Sequence, residues 1–260
     1  MKLRLQFQRS NLNSTTIILL VMLPQLPVVS IVTPTYNRRR FIPSLIKMVQ
    51  SQTYPRCRME WIVYDDGQEE VRDLFEAARS SLPDLKFIWS EDKMTLGEKR
   101  NRLNSEAKGE IIVAMDDDDF YFPTRVNDAV LAFTLNPSVQ LVGASEVYMF
   151  FTDTKEIWKA GPYFKGHATN GTMAWTKKYA SKHKYDETVA FAEEKSFLEN
   201  YKNHLVQLDP KRVMLVMSHS DNTFDKTELR TNDNPLLVKT LLKMEDFIKD
   251  PELHEFFYNL

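Results

Sequence analysis

The 260-residue chain lacks several features that would assign it to a class at once. Cys57 is its only cysteine, which excludes an internal disulfide framework and favours a reducing compartment. The formal net charge of −2 gives no overall attraction to nucleic acid or to an anionic membrane. The apolar run over residues 17–23 is too short to span a bilayer and is broken off by Pro24 and Pro27. We therefore expect a cytoplasmic globular protein that binds no nucleic acid and contacts a membrane at most peripherally, through residues 1–27.

Two common phosphate-binding motifs are also absent. The chain has no GxxxxGK loop followed by Ser or Thr, and no GxGxxG segment follows its first predicted strand. Their absence argues against a P-loop NTPase and against a Rossmann dehydrogenase. Any phosphate group that the chain binds must therefore be held by a metal ion and by side chains.

An alternation of elements indicates the fold class. Apolar strand-like segments and segments with helical spacing follow one another through the first half of the chain. Such alternation implies right-handed crossovers and a single, mostly parallel, Rossmann-like sheet flanked by helices, an α/β architecture. The predicted strands cover residues 28–33, 59–64, 85–89, 111–115 and 140–147, and the predicted helices cover 41–52, 70–80 and 96–107, with another beginning near Pro123.

The pattern loosens after residue 148, where aromatic residues and glycines become frequent. A helix over residues 191–201 and a strand over residues 212–217 are predicted there, and helical spacing returns from Pro235. No linker-like stretch separates the two halves. We divide the chain into an N-terminal extension (1–27), a main domain (28–225, with halves 28–147 and 148–225) and a C-terminal helical tail (226–260).

Four adjacent carboxylates, Asp116 to Asp119, directly follow the predicted buried strand 111–115. Adjacent carboxylates repel one another and need a positive neutraliser, for which a divalent cation that holds a phosphorylated substrate is the obvious candidate. The alternative is a solvated acidic turn. The apolar strand before the run and Pro123 after it favour a site, because ligands of open α/β sheets bind beyond the carboxyl ends of the strands.

Polar residues also follow the other predicted strands. The first strand leads into Thr33-Pro-Thr-Tyr-Asn-Arg38, and the second ends in Asp65-Asp66-Gly67. Carboxylates there can accept a hydrogen bond from a base N–H or a ribose hydroxyl, and Tyr36 can stack on a base. A plain turn and a rim aromatic are the alternatives for each residue taken singly. Their shared placement at one sheet edge predicts a nucleotide site.

The order VSIVTPTYNR, WIVYDDG and LGEKRNRLNSEAKGEIIVAMDDDDFYFP resembles the family 2 glycosyltransferases, which have the GT-A fold. The acidic run fits that family's D-x-D-D-x-x-x-P pattern, with Asp116, Asp118, Asp119 and Pro123 in register. The resemblance covers roughly residues 28–225. It implies a nucleotide-binding half, a smaller acceptor-side half, and a metal-dependent inverting transfer. The donor would be a nucleoside-diphosphate sugar, most often UDP-linked, and the acceptor a hydroxyl of a glycan, lipid-linked or protein-linked molecule.

The resemblance also implies roles for individual residues. Tyr36 and Asp66 would contact the base with Arg100 beside it, and Asp116 would face the ribose and the metal. The metal, Mn²⁺ or Mg²⁺, would be held by Asp118, Asp116 and His219. The full set of predicted nucleotide-binding residues is Thr33, Thr35, Tyr36, Asp65, Asp66, Lys99, Arg100, Asp116 and Asp117. Lys99 departs from the family, which usually has Ala there, and is a possible diphosphate contact.

Three further segments complete the predicted site. Glu193-Glu194 matches the family's acidic pair, so Glu194 would be the catalytic base with Glu193 beside it; an acidic first turn of a helix is the alternative. His219 is followed by Asn222-Thr223, as the metal-binding His of the family often is. The segment Asn170-Gly-Thr-Met-Ala-Trp175 would approach the donor sugar and acceptor, with Trp175 either the floor of the acceptor site or a core residue.

Two other function classes stay open. A nucleotidyltransferase would need a basic phosphate loop after the first strand, for which Arg38-Arg39-Arg40 is a candidate. A non-catalytic module would bind a nucleotide sugar without turnover. The presence of both a candidate base and a candidate His ligand disfavours the module.

Overall fold

The computed structural model describes residues 26–189, 192–222, 226–230 and 234–260. Nearly all of the predicted N-terminal extension lies outside the described residues, as do Phe191 and Thr223. Within the described ranges, no helix has both the length and the apolar character needed to cross a bilayer.

Strands and helices alternate along the first half of the chain, as predicted. The strands are β1 Val29–Thr35, β2 Met59–Asp65, β3 Asp84–Trp89, β4 Ile111–Ala114, β5 Phe120–Tyr121, β6 Leu141–Gly143, β7 Val147–Phe151, β8 Glu156–Ala160, β9 Ala174–Thr176, β10 Val206–Gln207, β11 Met214–Ser218 and β12 Leu237–Lys239. The α-helices are α1 Ile42–Gln50, α2 Arg72–Ala78, α3 Leu96–Glu106, α4 Arg125–Leu135, α5 Lys177–Ala180, α6 Glu194–Phe197, α7 Pro210–Val213, α8 Met244–Phe247 and α9 Pro251–Tyr258.

The larger sheet has the strand order β10-β6-β9-β4-β1-β2-β3. β1 is parallel to both of its neighbours, β2 and β4, and all three strands are buried along their whole length. Thr35 lies opposite Asp65, and Val32 lies opposite Ala114. The polar segments after β1, β2 and β4 therefore emerge at one edge of the sheet. This mixed α/β arrangement with a mostly parallel central sheet confirms the predicted fold class.

A second sheet, β12-β8-β7-β11-β5, corrects the prediction of a single one. The predicted strand 140–147 is in fact split between β6 of the larger sheet and β7 of the second. The intervening turn takes its hydrogen bonds from side chains: Ala144 N donates to Thr172 Oγ1 and Ser145 N to Gln207 Oε1. An apolar run cannot reveal such a change of sheet, because both partners lie far away in sequence.

Two predicted helical segments also differ from the structure. The helix expected over residues 191–201 is reduced to α6, which is followed by Glu199, Asn200 and Tyr201 at φ values of 48°, 55° and 63°. These left-handed conformations cannot continue a right-handed helix. The C-terminal tail contains β12, paired with β8, in addition to α8 and α9.

Candidate functional site

A cleft of about 180 Å³ opens at the sheet edge where β1 and β4 end. It unites most of the residues that the sequence predicts to bind a nucleotide, together with Asp118. The lining residues are Pro34, Thr35, Tyr36, Arg38, Leu96, Lys99, Arg100, Asp116, Asp117 and Asp118. We call it the nucleotide-side cleft.

Helix α3 supplies the basic residues of this cleft, and its start is fixed by a capping box. Thr95 Oγ1 accepts from Glu98 N at 3.2 Å, while Thr95 N donates to Glu98 Oε2 at 2.7 Å. Lys99 and Arg100 follow in the first turn and a half and are both buried. The capping box therefore fixes the position of the helix start and with it the positions of the basic side chains of Lys99 and Arg100.

Lys99 joins the ends of β1 and β2. Its Nζ donates to Asp66 Oδ1 at 2.8 Å and to the carbonyl oxygen of Thr35 at 3.1 Å. The other oxygen of Asp66 accepts from Met94 N at 2.7 Å, so both oxygens of this fully buried carboxylate are engaged. Lys99 thus binds the carboxylate of Asp66. Its predicted contact with a diphosphate stays a prediction.

The remaining residues of the first two strand ends have differing surroundings. Tyr36 is half-buried, with Lys93 Nζ at 4.1 Å from its ring centroid. Asp65 is buried and does not line the nucleotide-side cleft. Its burial raises the pKa of its carboxyl although Gly67 N donates to Oδ1 at 2.9 Å. Thr33 does not line the nucleotide-side cleft. Its hydroxyl donates to the carbonyl of Met115 at 2.8 Å and accepts from Trp61 Nε1 at 3.0 Å, so it ties strands together inside the sheet.

Arg100 lies between two carboxylates from different parts of the chain. Its Nη1 is 3.0 Å from Asp116 Oδ1, and its Nε is 2.8 Å from Glu193 Oε1. Burial opposes the charge, but Asp116 and Glu193 raise the pKa of Arg100 above its ordinary value. Arg100 thus connects the aspartate run to the two adjacent glutamates, Glu193 and Glu194, that include the predicted catalytic base.

The four aspartates have four different sets of contacts. Asp116 pairs with Arg100, and Asp119 Oδ1 accepts from the backbone N of Met217 at 2.8 Å. Asp117 Oδ1 lies 3.8 Å from Arg38 Nε; burial and the charge of Asp118 raise the pKa of Asp117 to about 7. The protein's own groups therefore neutralise part of the negative charge of the run. The sequence alone had suggested that a bound cation does this.

Asp118 is the carboxylate that meets the predicted His ligand. Its Oδ2 lies 3.5 Å from His219 Nε2 and 3.5 Å from Arg38 Nη2, and it accepts from Asn222 Nδ2 at 3.2 Å. Burial disfavours its charge, but His219, Lys226 and Arg38 lower the pKa of Asp118 to about 2. An ionised carboxylate beside an imidazole suits Mn²⁺ and Mg²⁺ when substrate phosphates provide further ligands.

The predicted third ligand, Asp116, is turned toward Arg100 and does not join this pair. Across the described residues, no group of three or more His, Cys, Asp or Glu side chains is arranged to hold a metal ion. The donor set on the protein is therefore Asp118 with His219, and any metal there must take its other ligands from elsewhere.

A second cavity, of about 490 Å³, adjoins the nucleotide-side cleft and shares Asp116, Asp118 and Leu96 with it. We call it the acceptor-side cavity. Glu193 and Glu194 lie on its wall, and its floor comes from the second sheet through Val147, Met149, Met214 and Val216. Burial, together with the charge of Glu193, raises the pKa of Glu194. A carboxyl held closer to neutrality in a cavity is suited to take up a proton.

The segment Asn170–Trp175 divides between cavity and core. Asn170 and Gly171 line the acceptor-side cavity, and a Cβ on Gly171 would lie 2.9 Å from Tyr121 Oη. Trp175, by contrast, is 1% exposed and donates from Nε1 to Asn104 Oδ1 at 3.0 Å. The core alternative for Trp175 is the correct one.

Sequence reasoning missed several residues that border the site. Lys226 lines the acceptor-side cavity and donates from Nζ to the carbonyl of Met217 at 3.0 Å, and Tyr163 lies on the same wall. No local motif marks either of them. Arg38 follows β1 in the basic run. Only the structure shows that its guanidinium lies near Asp117 and Asp118. Its neighbours face elsewhere, since Arg39 pairs with Asp73 and Arg40 with Asp221.

Comparison with known proteins supplies a family for this arrangement. The sequence model described as glycosyl transferase family 2 matches residues 30–190. Among curated relatives, an uncharacterized glycosyltransferase of Haemophilus influenzae is 29% identical over 113 residues, which are 44% of this chain and 37% of the relative.

Solved structures share the fold at lower identity. TarS 1–349 of Staphylococcus aureus in complex with UDP-GlcNAc has a TM-score of 0.61 and 19% identity, covering 75% of this chain and 60% of that one. The mannosyltransferase of Pyrobaculum calidifontis in complex with GDP-Man and Mn²⁺ has a TM-score of 0.61 and 16% identity, covering 76% and 59%. The chain thus spans less than two thirds of the length of each of these relatives.

Proposed function

The chain belongs to glycosyl transferase family 2, and from this premise we propose that it is a metal-dependent, inverting glycosyltransferase. The donor would be a nucleoside-diphosphate sugar, with UDP the first choice. The acceptor would be a hydroxyl group of a glycan, lipid-linked or protein-linked molecule. The neighbours support a nucleotide-sugar donor, because their structures were determined with UDP-GlcNAc or GDP-Man.

One observation carries this proposal. The nucleotide-side cleft and the acceptor-side cavity meet at Asp116 and Asp118, and the candidate base Glu194 lines the second of them. A donor whose diphosphate lies at the aspartates would extend its sugar into the cavity that contains Glu194. Donor, metal ligand and base are then neighbours in one continuous space, as a direct displacement requires.

The residues present fit a divalent cation held by few protein ligands. Asp118 and His219 would hold it, with Asp116 as a further candidate once the donor is bound, and phosphate oxygens would complete the ligand set. Mn²⁺ is the first candidate, since a neighbour was solved with it. When bound, the ion would stabilise the negative charge that develops on the leaving diphosphate.

The protein's own groups would perform the remaining steps. Tyr36 would contact the nucleotide base, while Arg38 and Lys99 would add positive charge near the diphosphate. The base contact predicted for Asp66 stays a prediction, because this buried carboxylate does not line the cleft and both of its oxygens are engaged. Glu194 would take the proton of the acceptor hydroxyl as its oxygen attacks the anomeric carbon from the face opposite the leaving group. A well-placed general base contributes about 10²–10⁴-fold to such a step. Burial and the charge of Glu193 raise the pKa of this base, whereas the charge of Arg100 lowers it.

The direct test is the identity of the phosphate product. The full chain is incubated with UDP- and GDP-sugars, with Mn²⁺ or EDTA, and the release of nucleoside diphosphate and of pyrophosphate is measured. Transfer predicts a Mn²⁺-dependent release of UDP or GDP with inversion at the anomeric carbon. Pyrophosphate as the product would instead identify a nucleotidyltransferase.

The alternatives have less support from the site. A nucleotidyltransferase would need several basic groups after β1 at the phosphates, whereas only Arg38 of the candidate loop lines the nucleotide-side cleft. Arg39 and Arg40 are paired with Asp73 and Asp221. A non-catalytic binding module would have no use for a carboxyl with a raised pKa in the acceptor-side cavity. Nucleotide-sugar binding without any release of nucleoside diphosphate would nevertheless identify such a module.

A further inference from the structure

Four aromatic side chains form one cluster, and one of them, Tyr163, lines the acceptor-side cavity; the others are Phe164, His167 and Tyr201. The ring centroids of Tyr163 and His167 are 4.5 Å apart, and those of His167 and Tyr201 are 5.1 Å apart in a stacked arrangement. Phe164 meets Tyr201 edge-on at 5.2 Å. We call this cluster the aromatic wall.

The backbone beneath the aromatic wall is held in place by two close approaches. Gly161 has φ of 90°, and a Cβ there would lie 2.3 Å from the carbonyl oxygen of Ser145, which accepts from Tyr163 N at 3.0 Å. A Cβ on Gly166 would lie 2.1 Å from the carbonyl oxygen of Tyr201. Glycine at both positions lets the loop pack closely, so the rings are presented on a fixed frame.

The aromatic wall reaches the acceptor-side cavity through Tyr163, and two of its rings are accessible. Tyr163 lines the acceptor-side cavity together with Glu194, and 39% of Tyr163 and 53% of Phe164 are exposed. Tyr201 lies close enough to Glu194 for that charge, after burial, to contribute to the raised pKa of Tyr201. Exposed aromatic rings beside a candidate base offer an apolar surface that a ligand can cover.

The same cavity is also lined by the polar side chain of Thr169. Thr169 Oγ1 is buried and has no hydrogen-bond partner among the described residues, and Thr169 lines the cavity next to Asn170. An unpaired buried hydroxyl is destabilising and is satisfied by an incoming partner. The cavity therefore presents an aromatic ring and hydrogen-bonding groups.

We propose that the aromatic wall is a carbohydrate subsite, on which the C–H face of a pyranose ring of the acceptor packs against Tyr163. This inference rests on the proposed function and names its acceptor class. A pyranose has an apolar face and a rim of hydroxyl groups, which match the ring of Tyr163 and the hydroxyl of Thr169. An open-chain polyol has no flat face to pack against the ring of Tyr163.

The test uses the full chain with UDP and Mn²⁺ and a set of methyl pyranosides of glucose, galactose, mannose and N-acetylglucosamine as probes. Saturation-transfer NMR and titration measure their binding, with ribitol and glycerol as open-chain comparisons. We expect at least one pyranoside to bind through its ring C–H groups, and Tyr163→Ala to weaken it by about tenfold or more. Tyr163→Phe keeps the ring and should stay within about twofold of the wild type.

Tyr258→Ala is the matched control, since Tyr258 is 38% exposed and lies outside the cavity, where its ring packs near Phe150. The inference is overturned if no pyranoside binds the wild type, if ribitol binds and the pyranosides do not, or if Tyr163→Ala binds as the wild type does. Release of UDP or GDP from nucleotide sugars, measured in parallel, tests the proposed function separately. If no UDP or GDP is released but a pyranoside binds in a Tyr163-dependent way, the proposed enzyme activity is wrong and the carbohydrate subsite is still supported.

Discussion

At the scale of single residues, the site distributes different tasks over chemically identical side chains. Asp118 has its pKa lowered to about 2, against the effect of burial, by His219, Lys226 and Arg38, whereas burial and the charge of Asp118 raise that of Asp117 to about 7. Asp119 is tied to the backbone of β11. Within the run, ionisation and geometry thus favour Asp118 for the metal-ligand role proposed above.

Glu194→Gln is expected to lower the turnover number by about 10²–10⁴-fold, because an amide cannot take the acceptor proton. Binding of UDP should be unchanged, since Glu194 lines the acceptor-side cavity and not the nucleotide-side cleft. Steady-state kinetics and calorimetric titration with UDP measure the two effects. Glu91→Gln, an exposed position outside both cavities, is the control. Near wild-type turnover by Glu194→Gln would show that another group is the base.

The same residue predicts a dependence of the rate on pH. Burial and the charge of Glu193 raise the pKa of Glu194, so the base stays protonated, and idle, to a higher pH than an ordinary glutamate would. We expect kcat/KM to fall on the acid side with a midpoint above about 4.3, the usual value for Glu. Rates from about pH 4 to about pH 9 test this. A midpoint at or below the usual value contradicts it.

Asp118→Ala is expected to abolish transfer and to weaken UDP binding in the presence of Mn²⁺ by at least about tenfold, since the loss of even an outer partner of a metal ligand has such effects. UDP binding in EDTA should change far less. Titrations with and without Mn²⁺ measure the difference, and Glu194→Gln serves as the comparison that keeps metal dependence. Equal losses with Mn²⁺ and with EDTA would mean that Asp118 supports the cleft but binds no metal.

At the scale of helices and strands, the position of α3 determines the site, because it orients Lys99 and Arg100. Gly97, next to its N-terminus, is in contact with a distant segment. A Cβ there would lie 2.1 Å from the carbonyl oxygen of Asp186. This approach allows the loop after residue 185 to pack on the start of the helix, where Asn101 also accepts from Tyr185 N at 2.9 Å.

The substitution Gly97→Ala has two opposing effects on the free energy of unfolding. Helix propensity alone favours Ala by about 1 kcal/mol, whereas forcing a methyl group into a filled space costs about 1–3 kcal/mol. Since the obstacle is a backbone oxygen, we expect the free energy of unfolding to decrease. Urea denaturation measures it, with the exposed Ser105→Ala of the same helix as the control. An increase in stability would mean that the segment at Asp186 moves aside freely.

The sequence predicted the strands and helices better than it predicted which other parts of the chain they contact. The alternation through residue 135 is confirmed, because each strand and helix there has its own periodic pattern. The split of residues 140–147 between two sheets depends on side chains of Thr172 and Gln207, which no local pattern reveals. Likewise, Trp175 offered no sign of whether its ring faces the core. Arg38 and Lys226 have meaning only once folding brings them to Asp118.

At the scale of the whole molecule, residues 226–260 contribute to the main core. Met244, Phe247, Ile248, Leu253 and Phe257 are buried there, and the ring of Phe257 packs against Phe120 with centroids 6.1 Å apart. Phe120 belongs to β5, which follows the aspartate run directly. The end of the chain therefore supports the loop that carries Asp118.

Phe257→Ala is expected to lower the free energy of unfolding by about 3–5 kcal/mol, as truncation of a fully buried Phe does. Tyr258→Ala, at the half-exposed neighbouring position, should change it by about 1 kcal/mol or less. Chemical denaturation compares the two variants. If both have the same small effect, the tail is an appendage that the main core does not need.

The floor of the acceptor-side cavity comes from the second sheet, while Tyr36, Asp66 and Lys99 lie at the edge of the first. Substitutions at Met149 or Val216 can reshape the floor without breaking a hydrogen bond that holds the nucleotide side. For the glycosyltransferase proposed above, natural selection can therefore change the acceptor while the choice of donor stays constant. A lineage with such a fold can acquire new acceptors one floor residue at a time.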